Sequence, residues 1–200
     1  VLFLIGGVLA GPVMSDREKP DYKVIQSEHN IEIRQYEPMI IAEVEVEGER
    51  EDATSDGFRI LADYIFGNNT VQQKISMTSP VQQQESQKIE MTAPVQQQSN
   101  GKSWQISFVM PYKYSMESLP EPNNDRVRLK EILIKKFVVI EFSGTISNEN
   151  IAKHEKQLIN YVEANQFKIT GSPKYAFYNP PWSLPFMRRN EVMIEINEQQ

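Results

Sequence analysis

Few groups in this chain are equipped for chemistry, and what is missing narrows the field first. There is no cysteine, which removes disulfides, thiolate nucleophiles and thiolate metal sites together. The two histidines, His29 and His154, stand far apart and not at i,i+4 spacing, so a zinc or di-iron centre would have to be nearly all carboxylate. Glu90 and Glu191 are the carboxylates a hydrolase would use. No Ser-His-Asp order, nucleophile elbow or metal box accompanies them. Met77 and Met91 recur in two copies of one phrase, and their unbranched, polarizable side chains suit irregular core packing or the wall of a pocket for a flat apolar ligand. Core packing is the simpler expectation.

That phrase is KISMTSPVQQQ at Lys74–Gln84 and KIEMTAPVQQQ at Lys88–Gln98, differing only at Ser76/Glu90 and Ser79/Ala93. Two copies do not make a solenoid. The alternation of Ile, Met, Thr and Val with polar residues, and the placement of Pro80 and Pro94, predict two paired strands that end or bend at the prolines.

Length and charge set the frame. Two hundred residues suffice for one domain with a sizeable core. With 21 basic against 27 acidic residues the net charge is -6 and the pI about 5.1. The chain has no basic run longer than the pairs Lys135-Lys136 and Arg188-Arg189, which argues against nucleic acid as a partner. The uncharged stretch Val1–Met14 is too short for the roughly 20 residues that span a bilayer. It matches the apolar region of a signal peptide. Residues 1–19 are therefore expected to be an export signal or membrane anchor with its linker, placing the protein outside the cytoplasm or on a membrane, and residues 20–197 to be the folded domain.

Within that domain, Tyr22–Gln26 and Ile31–Tyr36 predict a hairpin turning at His29-Asn30. A third strand follows from Met39, with Ala42, Val44 and Val46 inward and Glu43, Glu45 and Glu47 on a solvated face. From Asp52 the period changes: Thr54 or Ser55 can cap a helix whose apolar stripe is Phe58, Leu61, Ala62 and Ile65, closed by Gly67. Trp104–Met110, Val127–Ile134 and Phe137–Phe142 are strands, and Ser147 caps a second amphipathic helix with Ile151, Leu158, Tyr161 and Val162 inward. His154 sits at the edge of that stripe, where a hydrogen-bonded boundary imidazole is expected rather than a metal ligand. Tyr175–Tyr178, a Pro-rich loop at Asn179–Met187 and a last strand from Glu191 complete the chain. The two halves repeat the same order of elements, once before about Val95 and again from Trp104. The expectation is an α+β fold: a pseudo-duplicated, mostly antiparallel sheet forming a distorted barrel, with two main helices and an apolar cleft.

KIxMTxPV, IEIRQYEP at Ile31–Pro38 and YNPPWSLPFMRRNEV at Tyr178–Val192 together resemble the SOUL family of heme-binding proteins, over nearly all of the chain after the leader. The resemblance implies non-enzymatic binding of heme or another tetrapyrrole, held non-covalently and reversibly. It places the pocket between the first helix and the loop before the last strand, at Phe58, Ala62, Ile65, Trp182, Phe186 and Met187. Arg188 and Arg189 are the nearest cations for the propionates, and they serve equally well as structural partners of loop carbonyls or Glu191. Where relatives with an axial histidine carry it, this chain has Gln35, a poor ligand for iron. The duplicated fold also resembles drug-binding regulatory domains, so a small amphipathic molecule is the alternative ligand. A hydrolase using Glu90 or Glu191 is the third reading.

Overall fold

The computed structural model describes residues 18–71, 86–180 and 182–197. A hairpin of β1 (Tyr22–Glu28) and β2 (Ile31–Tyr36) opens the domain, turning at His29, whose φ is +56°. Then follow β3 (Met39–Glu47), α1 (Arg50–Ile65), the two-residue β4 (Asn69–Thr70), β5 (Val95–Asn100) and β6 (Ser103–Val109). The second half brings β7 (Glu121–Pro122), β8 (Arg128–Ile132), β9 (Lys135–Phe142), α2 (Asn148–Ala164), β10 (Lys168–Ile169) and β11 (Lys174–Phe177). A single 3-10 turn (Pro185–Met187) leads into β12 (Asn190–Asn197).

The main sheet runs β1-β2-β9-β12-β11-β5-β6-β3-β8, with β10 attached to β12. Every pairing among the described strands is antiparallel. This is the expected α+β architecture: two helices on a large curled antiparallel sheet that forms a half-barrel. The order is palindromic, because β3-β6-β5 on one side mirrors β9-β12-β11 on the other. The halves therefore divide after β6, not at Val95 to Trp104 as the element order alone implied. Each half also lends a strand to the other. β2 precedes β3 in the chain but pairs with β9, and β8 precedes β9 but pairs with β3.

Strand alternation sorts side chains between two faces. Val138, Ile140 and Phe142 of β9 join Val192, Ile194 and Ile196 of β12 under Ile151, Leu158 and Val162 of α2. In the other half, Ala42, Val44 and Val46 of β3 and Ile106 and Phe108 of β6 receive Leu61, Tyr64 and Ile65 of α1. On the face turned away from the helices, Tyr36, Phe137, Val139, Ala176, Tyr178 and Met193 form a third cluster, since the curl brings these residues together.

Three expectations need correction. Glu43 is buried, held by Lys130 and by Gln105 at 2.6 Å, because the sheet's curl covers a face that a flat sheet would leave in water. α1 begins at Arg50 rather than at a Thr54 or Ser55 cap; the Thr54 hydroxyl instead donates to the Arg50 carbonyl at 2.6 Å from within the helix. The earlier start lets Arg50 tie the two helices, its Nε donating to Asn148 Oδ1 at 2.7 Å and its Nη2 to the Ile146 carbonyl at 2.8 Å. Of the repeated phrase, the copy at Lys74–Gln84 and its Met77 lie outside the described residues. In the second copy only Val95 onward is strand, while Ile89 and Met91 pack on the α1 core. Ser147 caps α2 as expected, its hydroxyl accepting from the Asn150 N–H at 3.3 Å.

Candidate functional site

On the face away from the helices, alternation sets Arg34 and Tyr36 of β2 beside Glu191 at the start of β12. Glu191 is completely buried. Its Oε1 accepts from Arg34 Nη1 at 2.9 Å and from Arg189 Nη2 and Nε at 2.6 and 3.0 Å, and its Oε2 accepts from the Tyr178 hydroxyl at 2.9 Å. Arg34 also donates to the Tyr36 hydroxyl at 3.3 Å and lies 4.4 Å over the Tyr22 ring, and Arg189 covers Tyr178 at 4.3 Å. Burial pushes the Tyr36 and Tyr178 hydroxyls up, and the Glu191 charge adds to this. Burial works against the Arg34 charge, but Glu191 and Tyr36 outweigh it and the net shift is upward. With two guanidinium groups and a phenol already on it, the Glu191 carboxylate is engaged as a structural anion. Glu90, the other carboxylate considered for hydrolysis, is exposed and paired with Lys113 at 3.0 Å.

Beside this network lies a cavity of about 860 Å³, within the range of roughly 300–1,000 Å³ typical of small-molecule sites. The β1–β2 turn contributes His29 and Asn30, β9 contributes Glu141 and Phe142, and α2 contributes Asn150, Lys153 and His154. The C-terminal loop closes it with Phe186, Met187, Arg188 and Arg189, while Glu32 and Arg34 reach it from β2. Phe142 and the His154 ring stack at 4.1 Å and 11°, and His154 Nδ1 lies 2.7 Å from the Asn150 carbonyl oxygen. Arg188 Nε donates to the Ser183 carbonyl at 2.9 Å, and Arg189 also meets Glu141 at 3.2 Å. Lys153 is exposed and has no partner among the described residues.

The expected site residues are thus split between two places. Phe186, Met187, Arg188 and Arg189 line this cavity. Phe58, Ala62 and Ile65 stay with the α1 half: Phe58 meets Phe108 at 5.4 Å, Ala62 is buried and Ile65 lies in the α1 core. Trp182 is 80% exposed. The loop residues thus share a largely polar cavity with α2, and Phe58, Ala62 and Ile65 of α1 do not line it. The reason is topological. The loop leads into β12, which lies under α2, whereas α1 packs on β3 and β6 across the sheet. Gln35 does not line the cavity. Phe142, Lys153 and His154 also line the cavity, although none of them is marked as a pocket residue by the sequence. The position of His154 at the edge of the α2 stripe was visible, but its neighbour Phe142 was hidden by the intervening turn.

The sequence matches the model of the SOUL heme-binding protein family over residues 17–195. The chain belongs to that family. No curated protein matches it. Among solved structures it is similar to the C-terminal domain of EcmrR, with a TM-score of 0.60 at 10% identity, covering 89% of this chain and 99% of that one. It is also similar to a hydrolase from Listeria innocua, with a TM-score of 0.55 at 12% identity, covering 86% and 94%. At such identities the likeness shows the fold alone.

Proposed function

We propose that this protein binds heme or a related anionic tetrapyrrole, non-covalently and without turnover, in the cavity between α2 and the C-terminal loop. The observation that carries this reading is charge. In a chain of net charge -6, the cavity gathers Arg34, Lys153, Arg188 and Arg189 against only Glu32 and Glu141. A macrocycle bearing two propionates needs cations at the rim, and Lys153 is the one whose charge is not already engaged. The planar ring needs broad aromatic and thioether contact, which Phe186 and Met187 offer as exposed side chains at the mouth. The engagement of Glu191 by Arg34, Arg189 and Tyr178 supports a binding role over a hydrolytic one.

Titration with hemin, followed in the Soret band, tests the reading. Saturable binding at micromolar protein is expected, weakened by Lys153→Glu and by Phe186→Asp. Absence of saturable binding by the wild type removes the proposal, and a loss confined to Phe58→Asp would move the ligand to the α1 face. A second reading, a small amphipathic ligand of other chemistry, is favoured by the exposed run Trp182, Leu184, Phe186 and Met187. A dye displaced by an anionic amphiphile but not by hemin would select it. If Val1–Met14 acts as an export signal or anchor, binding takes place at or beyond a membrane, and mass spectrometry of the mature N-terminus tests that part.

A further inference from the structure

We propose that His154 is the axial ligand this chain offers to the iron of a bound heme, through Nε2. The inference rests on the tetrapyrrole reading above and goes further by naming the atom that would meet the metal. His154 Nδ1 lies 2.7 Å from the Asn150 carbonyl oxygen. A carbonyl oxygen only accepts, so Nδ1 must carry the proton. In the neutral imidazole the lone pair then resides on Nε2. Among the described residues Nε2 has no hydrogen-bond partner, and the ring borders the cavity.

Two further contacts hold the ring in place. One face is stacked on Phe142 at 4.1 Å and 11°, which fixes the plane of the ring. The bond from Nδ1–H to a backbone carbonyl one helical turn earlier sets the tautomer and the orientation of the ring. Metal-ligating histidines are habitually supported in this way. The surroundings suit the rest of the ligand, since Lys153 is adjacent on α2 and Met187 and Arg188 border the same cavity. The competing imidazole is His29, which also borders the cavity. It is exposed, stands in a turn at φ +56°, and has no ring contact to hold it among the described residues.

The test compares hemin with metal-free protoporphyrin IX on the wild-type protein and on His154→Ala, His154→Phe and His29→Ala. The Phe variant keeps the stack on Phe142, so it remains informative if the Ala variant fails to fold. Removal of outer-shell support alone costs about 10–100-fold in metal affinity, and loss of the ligand should weaken hemin binding by at least ~10-fold on that scale. Protoporphyrin IX affinity should change far less than hemin affinity, because the iron-independent contacts remain. The Soret band and electron paramagnetic resonance spectrum of the ferric adduct should lose nitrogen ligation in both His154 variants and keep it in His29→Ala. Added imidazole should restore it to His154→Ala. An unchanged ferric spectrum in His154→Phe, or a loss in His29→Ala instead, overturns the assignment while leaving the tetrapyrrole reading intact. Failure of the wild type to bind either compound removes both.

Discussion

Replacing Glu191 by Gln changes the molecule by one charge and almost no volume, so its effect isolates the electrostatics of the buried network. The carboxylate is fully buried and Arg34 is 2% exposed, 2.9 Å away. The amide keeps one acceptor but turns an NH2 toward groups that are themselves donors: Arg34 and Arg189 at one oxygen, the Tyr178 hydroxyl at the other. Removing one partner of a buried ion pair costs about 3–5 kcal/mol, because the remaining charge is left in a poorly solvating site. At roughly 2–4 °C per kcal/mol for a domain of this size, Tm should fall by about 6–20 °C. Thermal unfolding followed by circular dichroism at neutral pH measures it. The double substitution Arg34→Met with Glu191→Leu should recover part of the loss, since apolar replacement of a buried pair is often neutral or stabilising, while Arg189 and the Tyr178 hydroxyl still lose their acceptor. A fall of less than about 2 °C, the scale of an exposed pair, would refute the reasoning. Loss of model-ester turnover in folded Glu191→Gln protein would reopen the hydrolase reading.

Other substitutions test the frame around the site. Gly57→Ala should destabilise although alanine favours helices by about 1 kcal/mol. Its Cβ would stand 2.5 Å from Ile106 Cγ1 and 2.8 Å from Ile106 Cβ. Overpacking of this kind costs about 1–3 kcal/mol, read as a lower urea midpoint with unchanged m. Arg50→Lys should cost about 1–3 kcal/mol because an ammonium cannot reach both Asn148 and the Ile146 carbonyl in one fork, and a chemical-denaturation curve matching wild type would sink this account. Tyr36, Tyr64, Tyr175 and Tyr178 are buried, with hydroxyls pushed upward first of all by burial. A raised folded value means the stabilisation is complete below the unfolded phenol value of about 10 and is lost as pH climbs above it, by about 1.4 kcal/mol per tyrosine per pH unit. Phenolate absorbance from these four should therefore appear together with unfolding, and their titration in a still-folded protein would contradict it.

Local features of the fold could be read from the sequence because they depend on near neighbours. The Ser147 cap, the β1–β2 turn at His29-Asn30 and the β9 alternation from Phe137 to Phe142 each follow from a few consecutive residues. The burial of Glu43 could not be read in the same way. A Glu-Val-Glu-Val-Glu pattern describes one wet face, and only the curl of the whole sheet covers part of it. The repeated phrase is unrelated to the duplication of the fold. Both copies fall between α1 and β6, inside one structural half, whereas the real repeat matches β3-α1-β5-β6 with β9-α2-β11-β12, whose sequences have no such identity.

The same distinction explains why only half of the expected site stayed together. Phe186 to Arg189 are consecutive, so whatever cavity borders one tends to border the rest. Which helix faces them depends on β12 pairing with β9, and on β2 crossing to β9 instead of staying beside β3. That exchange also carries Arg34 to Glu191 across a separation of 157 residues, and the β1–β2 turn with His29 to the mouth of the cavity under α2. A strand that remained in its own half would leave Glu191 without Arg34 and the cavity without one wall. The interlocking of the halves is therefore what joins the buried ion network to the cationic cavity. Destabilising Glu191 should consequently loosen ligand binding even though Glu191 does not line the cavity, while Gly57→Ala, in the α1 half, should lower stability with little change in the affinity of the protein that remains folded.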